Sequence, residues 1–323
     1  MSDYQVKAVI TIFVVVALLG LAIVFGGPTP PPELPSISQP FKSVDFSDLP
    51  ELKTYTANDG AKLAYRHYEA VNVLPKGSVV LIHGSSASSS SMHVLAKAFA
   101  NAGFSAYAVD VRGHGASGQR GTIKYIGQLE DDLEAFTQLV SLKKPSTLVG
   151  FSSGGGFAMR FAASNRQNLF QNYLFMSPFI HQEAPNSRPI DGWANVGVPR
   201  IVAISILNGV GVTALNDLTV TSFALDPAAL KKGLTPEYSY ALATNFRLPM
   251  DYRTAIRNIH QPCAILAGTD DELFKTDMLE KIFRDEGKDW PIALLPGVGH
   301  ITLTLNTDAV GAAVDKVKQL QAR

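Results

Sequence analysis

From residue 78 onward, short continuous apolar runs alternate with longer stretches in which apolar residues recur at three- and four-residue spacing. The runs at 78–82, 105–109, 146–149 and 173–176 predict buried strands, and the stretches at 92–102, 126–142 and 154–163 predict helices. That alternation predicts an α/β domain with a mostly parallel sheet covered on both faces. Ligands of such sheets bind outside the carboxyl ends of the strands. Ahead of this region, residues 62–68 alternate apolar and polar, and Asn58-Asp59-Gly60 makes a hairpin turn joining them to a strand at 52–56. The rhythm stops between about residues 181 and 261, where several apolar helical segments follow one another. It resumes with a strand at 263–267, a helix at 278–284, a strand at 292–295 and a terminal helix at 309–321. We expect the insertion to be a helical cap over the strand ends, within a domain spanning 51–323.

The first 50 residues follow a different pattern. Residues 8–25 form an unbroken uncharged run rich in valine, leucine and isoleucine, of a length that spans a bilayer as one helix. Lys7 precedes it, and no basic residue follows until Lys42, which favours the N-terminus inside and the folded domain on the non-cytoplasmic side. The alternative is a secreted protein whose leader is cleaved; the length of the run and Asp3 in the leader weigh against that. Residues 1–27 are thus expected to form a single-pass membrane anchor. Residues 28–50, rich in proline and serine, are expected to form a semi-extended tether.

Composition narrows the function classes. The 323 residues are 46% hydrophobic and carry no net formal charge, so nothing points to nucleic acid as a partner. The single cysteine, Cys263, excludes a disulfide within the chain and a four-cysteine zinc site.

The chemistry centres on Gly150-Phe151-Ser152-Ser153-Gly154, directly after a strand and before a helix. This is the Gly-x-Ser-x-Gly pattern of a nucleophile elbow, in which the serine sits on a strained turn and small residues are needed two places before and after it. Ser153 has Phe151 two places before it, so the glycine frame selects Ser152. A neutral hydroxyl needs a base within hydrogen-bonding reach and an acid to orient that base. His300, in the glycine-rich loop after the last strand, is the candidate base and the only histidine beyond the cap. The acid is Asp270 or Asp271, adjacent after the resumed strand; one can face the histidine while the other caps the next helix. The oxyanion needs two N–H donors. Ser153 at the helix N-terminus supplies one, and Ser85, after His83-Gly84 in the loop following the 78–82 strand, supplies the other. Such chemistry calls for no cofactor and no metal. His67 and His93 are read as structural, and His181 and His260 as at most flanking a substrate entrance. Asp110-Val111-Arg112-Gly113-His114-Gly115 is read as scaffold, with His114 disfavoured as the base.

Together these residues resemble the α/β-hydrolase superfamily, and within it the monoacylglycerol lipase and lysophospholipase-like serine hydrolases. The resemblance runs from about residue 52 to the C-terminus. It rests on His83-Gly84, the Asp110…Arg112-Gly113-His114-Gly115…Ser117 turn, the elbow and the Gly-x-x-x-His-type loop ending at His300. The family's Gly-x-x-Asp motif lands on Asp271, and the resemblance therefore implies a Ser152–His300–Asp271 triad. It implies an esterase acting on a small ester or lipid, a monoacylglycerol or lysophospholipid, through an acyl-enzyme. An amidase or peptidase of the same fold is the alternative, with Glu183, Asp191, Asp217 and Asp226 as the insertion's acidic candidates. A non-catalytic, membrane-tethered binding protein is the third reading. The apolar stretches 201–204 and 223–225 would either receive an acyl chain or pack the cap onto the core.

Overall fold

The computed structural model describes residues 2–32, 39–71, 74–188 and 192–322. Eight strands form one sheet in the order β1-β2-β4-β3-β5-β6-β10-β11. They are β1 (Leu52–Thr56), β2 (Lys62–Tyr68), β3 (Ser78–Ile82), β4 (Ser105–Val109), β5 (Ser146–Phe151), β6 (Asn172–Met176), β10 (Cys263–Gly268) and β11 (Ile292–Leu295). The first two pairings, β1 with β2 and β2 with β4, are antiparallel; from β4 to β11 every pairing is parallel. The continuous apolar runs are explained by burial on both sides. In β3, Val80 and Ile82 enter the core on one face while Val79 and Leu81 enter the core on the other. Tyr173 and Phe175 of β6 likewise oppose Leu174 and Met176.

The helices divide between these faces. Helix α2 (His93–Asn101) and the terminal helix α10 (Thr307–Gln321) bury Leu95, Phe99, Val310 and Val314 in one core. Helices α3 (Gln128–Val140), α4 (Ser153–Ala162) and α9 (Leu279–Asp285) bury Leu133, Phe157 and Phe283 in the other. The sheet's parallel carboxyl ends therefore converge on one edge, where the loops after β3, β5, β10 and β11 meet.

The segment between β6 and β10 departs from a purely helical cap. It contains helices α5 (Val198–Gly209), α6 (Pro227–Lys231), α7 (Tyr240–Asn245) and α8 (Tyr252–Arg257). It also carries an antiparallel three-stranded sheet, β7 (Ala194–Val196), β8 (Thr219–Phe223) and β9 (Glu237–Ser239). Two of these strands have only three residues each, too short to display a period of two in the sequence.

Helix α1 (Asp3–Phe25) contains a window of mean hydropathy 3.1, with none of that window buried; it is long and apolar enough to cross a membrane, as a signal sequence also would be. Residues 39–50 depart from a free tether. A 3-10 turn at Gln39–Ser43 leads to Asp48, which accepts hydrogen bonds from His93 Nε2 (3.0 Å) and Lys97 Nζ (2.5 Å). Phe41, Phe46 and Leu49 face the cavity described below.

Candidate active site

The elbow owes its shape to close packing that leaves no room for side chains. A Cβ on Gly150 would lie 2.2 Å from the Gly154 carbonyl oxygen, and one on Gly154 would lie 2.3 Å from that of His83. Between them Ser152 adopts φ 56° and ψ −123°, a conformation that L-residues rarely take. Three hydrogen bonds hold it there. The Ser152 N–H donates to the Met176 carbonyl (3.0 Å), and its own carbonyl accepts from Gly156 (3.1 Å) and Phe179 (2.9 Å).

His300 and Asp271 arrive from the loops after β11 and β10. The Ser152 hydroxyl lies 2.9 Å from His300 Nε2, and His300 Nδ1 lies 2.9 Å from Asp271 Oδ2. The His300 and Asp271 side chains are 1% and 0% exposed. Asp271 Oδ1 accepts the Leu273 and Phe274 N–H groups, both at 2.9 Å, so each carboxylate oxygen has a defined partner. Burial alone would raise the Asp271 carboxyl, but the charge on protonated His300, its hydrogen bond and the Phe274 N–H outweigh burial and hold it below the ordinary value. Asp270 points elsewhere: it is exposed and accepts from Thr269 Oγ1 at 2.8 Å. The rings of Phe151 and Phe274 pack on His300 at centroid distances of 4.8 and 5.2 Å and shield it from water.

The two residues expected to supply the oxyanion donors are neighbours in space. The Ser85 and Ser153 hydroxyls are 2.5 Å apart, and a Cβ on Gly84 would sit 3.2 Å from Ser152 Cβ, so the loop after β3 runs directly over Ser152. Among the described residues neither the Ser85 nor the Ser153 N–H has a hydrogen-bond partner in the protein.

Several supporting residues gave no signal along the chain. Glu272, next to Asp271, accepts the His300 N–H at 2.8 Å and so fixes the backbone of His300. Tyr238 of β9 accepts the Ser86 N–H (2.7 Å) and meets His114 Nε2 at 2.6 Å, while Thr235 and Ser86 exchange N–H···O and O–H···O bonds of 2.9 and 2.7 Å. The cap thereby grips the residue after Ser85. No local pattern announces a tyrosine that acts across so long a sequence separation.

The other histidines are structural or peripheral. Buried His83 takes the Val111 N–H on Nε2 (3.2 Å), with its Nδ1 2.8 Å from the Gly84 carbonyl. Burial pushes its pKa down and that of His114 well down, so both stay neutral. His67 stacks on Tyr107, and His93 meets Tyr68 Oη at 3.0 Å. Neither His181, stacked on Tyr252, nor exposed His260 lines the cavity at Ser152. The Asp110–Arg112 turn is scaffold. Asp110 accepts the Ser89 and Ala116 N–H groups at 2.7 and 2.9 Å, and Arg112 pairs with Asp132 at 2.6 Å.

Ser152 and His300 open onto a cavity of about 510 Å³. Its walls are largely apolar, with Phe41, Phe46 and Leu49 on one side and Trp193, Leu225 and Leu234 of the cap on another. Of the two apolar cap stretches, 224–225 therefore faces the cavity, whereas Ala203 and Ile204 are buried and absent from its walls. Asp226 is the only one of the insertion's acidic candidates in the wall, and its Oδ1 already accepts the Ala229 N–H. Glu183 and Asp217 do not line it, and Asp191 lies outside the described residues. A separate cleft of about 690 Å³ at Asp59, Arg112 and Asp217 contains none of Ser152, Asp271 and His300, and its Arg112 is already paired with Asp59 and Asp132.

The same fold recurs among known proteins. A monoacylglycerol lipase of Mycolicibacterium smegmatis is 36% identical over 95 residues, 28% of this chain; the match spans 33% of that relative's length. The crystal structure of a soluble variant of the monoglyceride lipase from Saccharomyces cerevisiae, bound to a substrate analog, superposes with a TM-score of 0.63 at 20% identity, covering 85% of this chain and 96% of that one. A membrane phospholipase A described as a bacterial virulence factor gives 0.58 at 15% identity and covers 100% of both chains. Residues 74–306 match the Hydrolase_4 family, described as "Serine aminopeptidase, S33", and the chain belongs to that family, with the α/β-hydrolase fold.

Proposed function

We propose that the protein is a serine hydrolase that cleaves carboxylic esters of lipid character through an acyl-enzyme. The observation that carries this reading is the chain Ser152 Oγ–His300 Nε2 (2.9 Å) and His300 Nδ1–Asp271 Oδ2 (2.9 Å), opening into an apolar cavity. Ser152 attacks the ester carbonyl while His300 Nε2 takes its proton, and Asp271 holds the imidazole with Nδ1 protonated and stabilises the imidazolium. The Ser85 and Ser153 N–H groups receive the oxyanion, and His300 then returns the proton to the departing alcohol. Water repeats the sequence on the acyl-enzyme.

An acyl chain fits the cavity walls, and each methylene buried there contributes about 0.8 kcal/mol. The lipase relative and the phospholipase structure support a monoacylglycerol or lysophospholipid substrate. An aminopeptidase reading, suggested by the family description, would need an acidic group for the substrate's amine. Among the described residues the cavity offers Asp226 alone, against Lys42, Arg66 and Lys232. We place α1 across a membrane as an uncleaved anchor, with the catalytic domain on the non-cytoplasmic side.

Labelling with a fluorophosphonate probe, followed by turnover of an ester chain-length series and an aminoacyl-amide series, tests the reading. Wild type should label, Ser152→Ala should not, and esters should exceed amides. Full activity in Ser152→Ala ends the mechanism, and preferred amide cleavage moves the protein to the peptidase class. The intact mass of the membrane-extracted protein distinguishes anchor from cleaved leader.

A further inference from the structure

Helix α5 of the cap carries an apolar stripe that nothing among the described residues covers. Val198, Val202 and Ile206 follow one another at four-residue spacing and are 58%, 52% and 50% exposed, and Val210, just past the end of the helix, is 74% exposed. Residues at that spacing share one helical face. Val212 prolongs the stripe at 44% exposure. From residue 192 to 216 the only charged side chain is Arg200.

Arg200 is already committed. Its Nε donates to the Ile23 carbonyl (2.7 Å), Nη2 to that of Val24 (3.2 Å) and Nη1 to that of Thr219 (2.7 Å). It thus caps the last turn of α1, where free carbonyls and the negative end of the helix dipole favour a cation. The backbone makes the same joint. The Arg200 N–H donates to the Gly26 carbonyl at 3.3 Å, and the Thr29 N–H donates to Asn195 Oδ1 at 3.0 Å. The fit leaves no room for side chains: a Cβ on Gly197 would lie 2.6 Å from the Gly26 carbonyl oxygen, and one on Gly27 would lie 2.5 Å from the Arg200 guanidinium.

From this joint we propose that the α5 stripe is a second membrane contact, a lipid-facing surface that Arg200 holds beside the exit of the anchor. This rests on the reading of α1 as a membrane span. The occupant follows from continuity. A helix locked against the end of a transmembrane segment lies at the bilayer interface, and its uncharged face meets the same lipid that surrounds the anchor. A protein partner would have to displace that lipid. The consequence is that the cap is fixed to the bilayer and the catalytic domain cannot swing freely on residues 28–50.

The test uses the full chain in phosphatidylcholine–phosphatidylglycerol vesicles with an environment-sensitive fluorophore on single introduced cysteines. Native Cys263 is buried and its thiol is pushed well up by burial, so it labels poorly. Labels at Val202→Cys, Ile206→Cys and, in the anchor, Phe13→Cys should all be quenched by doxyl-labelled lipid. A label at Gln319→Cys, exposed on α10, should not be. Adding Arg200→Met should reduce quenching at residue 202 and leave it at residue 13. Val202→Asp with Ile206→Asp should lower turnover of vesicle-held monoacylglycerol by about tenfold while leaving a soluble short-chain ester unaffected. Quenching at 13 without quenching at 202 and 206 would overturn the second contact and leave the anchor standing. No quenching at any of the three would remove both. Quenching at 202 and 206 that follows protein density in place of lipid label would make the stripe an interface between copies and overturn the proposal.

Discussion

Replacing Asp271 with asparagine separates the triad from its nearest rival because the surrounding hydrogen bonds dictate which way the amide must face. Asp271 Oδ1 accepts two N–H groups, from Leu273 and Phe274, both at 2.9 Å. Asparagine can satisfy them only with its carbonyl oxygen, which turns its NH2 group toward His300 Nδ1. Nδ1 must then be unprotonated, so the proton sits on Nε2, where it blocks acceptance of the Ser152 proton. The imidazolium of the transition state also loses its counter-charge. At an effective dielectric of ~20 and a charge separation of ~4 Å that attraction is worth about 4 kcal/mol, or roughly 10³ in rate. With the wrong tautomer added, kcat on a short p-nitrophenyl ester should fall by about 10³ to 10⁴ while KM changes little. Asp270→Asn, at an exposed carboxylate bonded to Thr269 Oγ1, should stay within about twofold of wild type. Circular dichroism confirms folding, and the rate of fluorophosphonate labelling gives an independent readout of nucleophilicity. If Asp271→Asn keeps more than about a tenth of wild-type kcat, or if Asp270→Asn loses as much, the assignment of the acid is refuted.

Three further outcomes follow from the same geometry. Tyr238→Phe leaves the Ser86 N–H and His114 Nε2 buried without their 2.7 and 2.6 Å partners, so it should cost about 2 kcal/mol of stability and lower kcat about tenfold at similar KM; a loss confined to KM would break the link from cap to oxyanion loop. His181 is pushed down to about 4 by burial, with Arg247 adding to the shift. The unfolded chain, with an ordinary histidine near 6.5, therefore binds the extra proton first, and stability is lost as pH falls from about 6.5 toward 4. His181→Asn, which can keep an acceptor for the Glu183 N–H, should flatten that slope by about 1.4 kcal/mol per pH unit in urea melts; an unchanged slope refutes it. Phe46→Ala should shift the ester optimum toward longer acyl chains without affecting labelling by a small fluorophosphonate, and an unchanged profile would remove residues 39–50 from the substrate wall.

What was legible in the sequence was what depends on near neighbours along the chain. The elbow is the clearest case: Gly150 and Gly154 are required by contacts of 2.2 and 2.3 Å, and any other residue would prevent the turn. The strands of the central sheet were legible because burial on both faces forces continuous apolar runs. The cap sheet was missed because its strands are brief and its pairings join residues far apart, such as Ala194 with Phe223. Asp270 and Asp271 could not be separated by pattern alone, since which carboxylate turns inward depends on where His300 arrives from another loop.

Residues 39–50 show most directly why composition misleads. Proline and serine dilute the apolar side chains of the stretch and argue for a detached tether, yet Phe41, Phe46 and Leu49 are spaced within it. Whether such isolated apolar residues are buried depends on a groove elsewhere in the fold. Here that groove exists: His93 and Lys97 hold Asp48, and the Pro50 carbonyl accepts from Arg66 Nη1. The result is a cavity whose wall is shared by the catalytic loops, the cap and the chain leading back to α1. Since the cap is also joined to α1 through Arg200, a displacement of α1 acts on two walls of the same cavity. Removing residues 1–50 therefore takes away more than an apolar helix. It strips Phe41, Phe46 and Leu49 from the cavity wall and frees the cap joint, so selectivity measured on such a truncated protein would describe a different cavity.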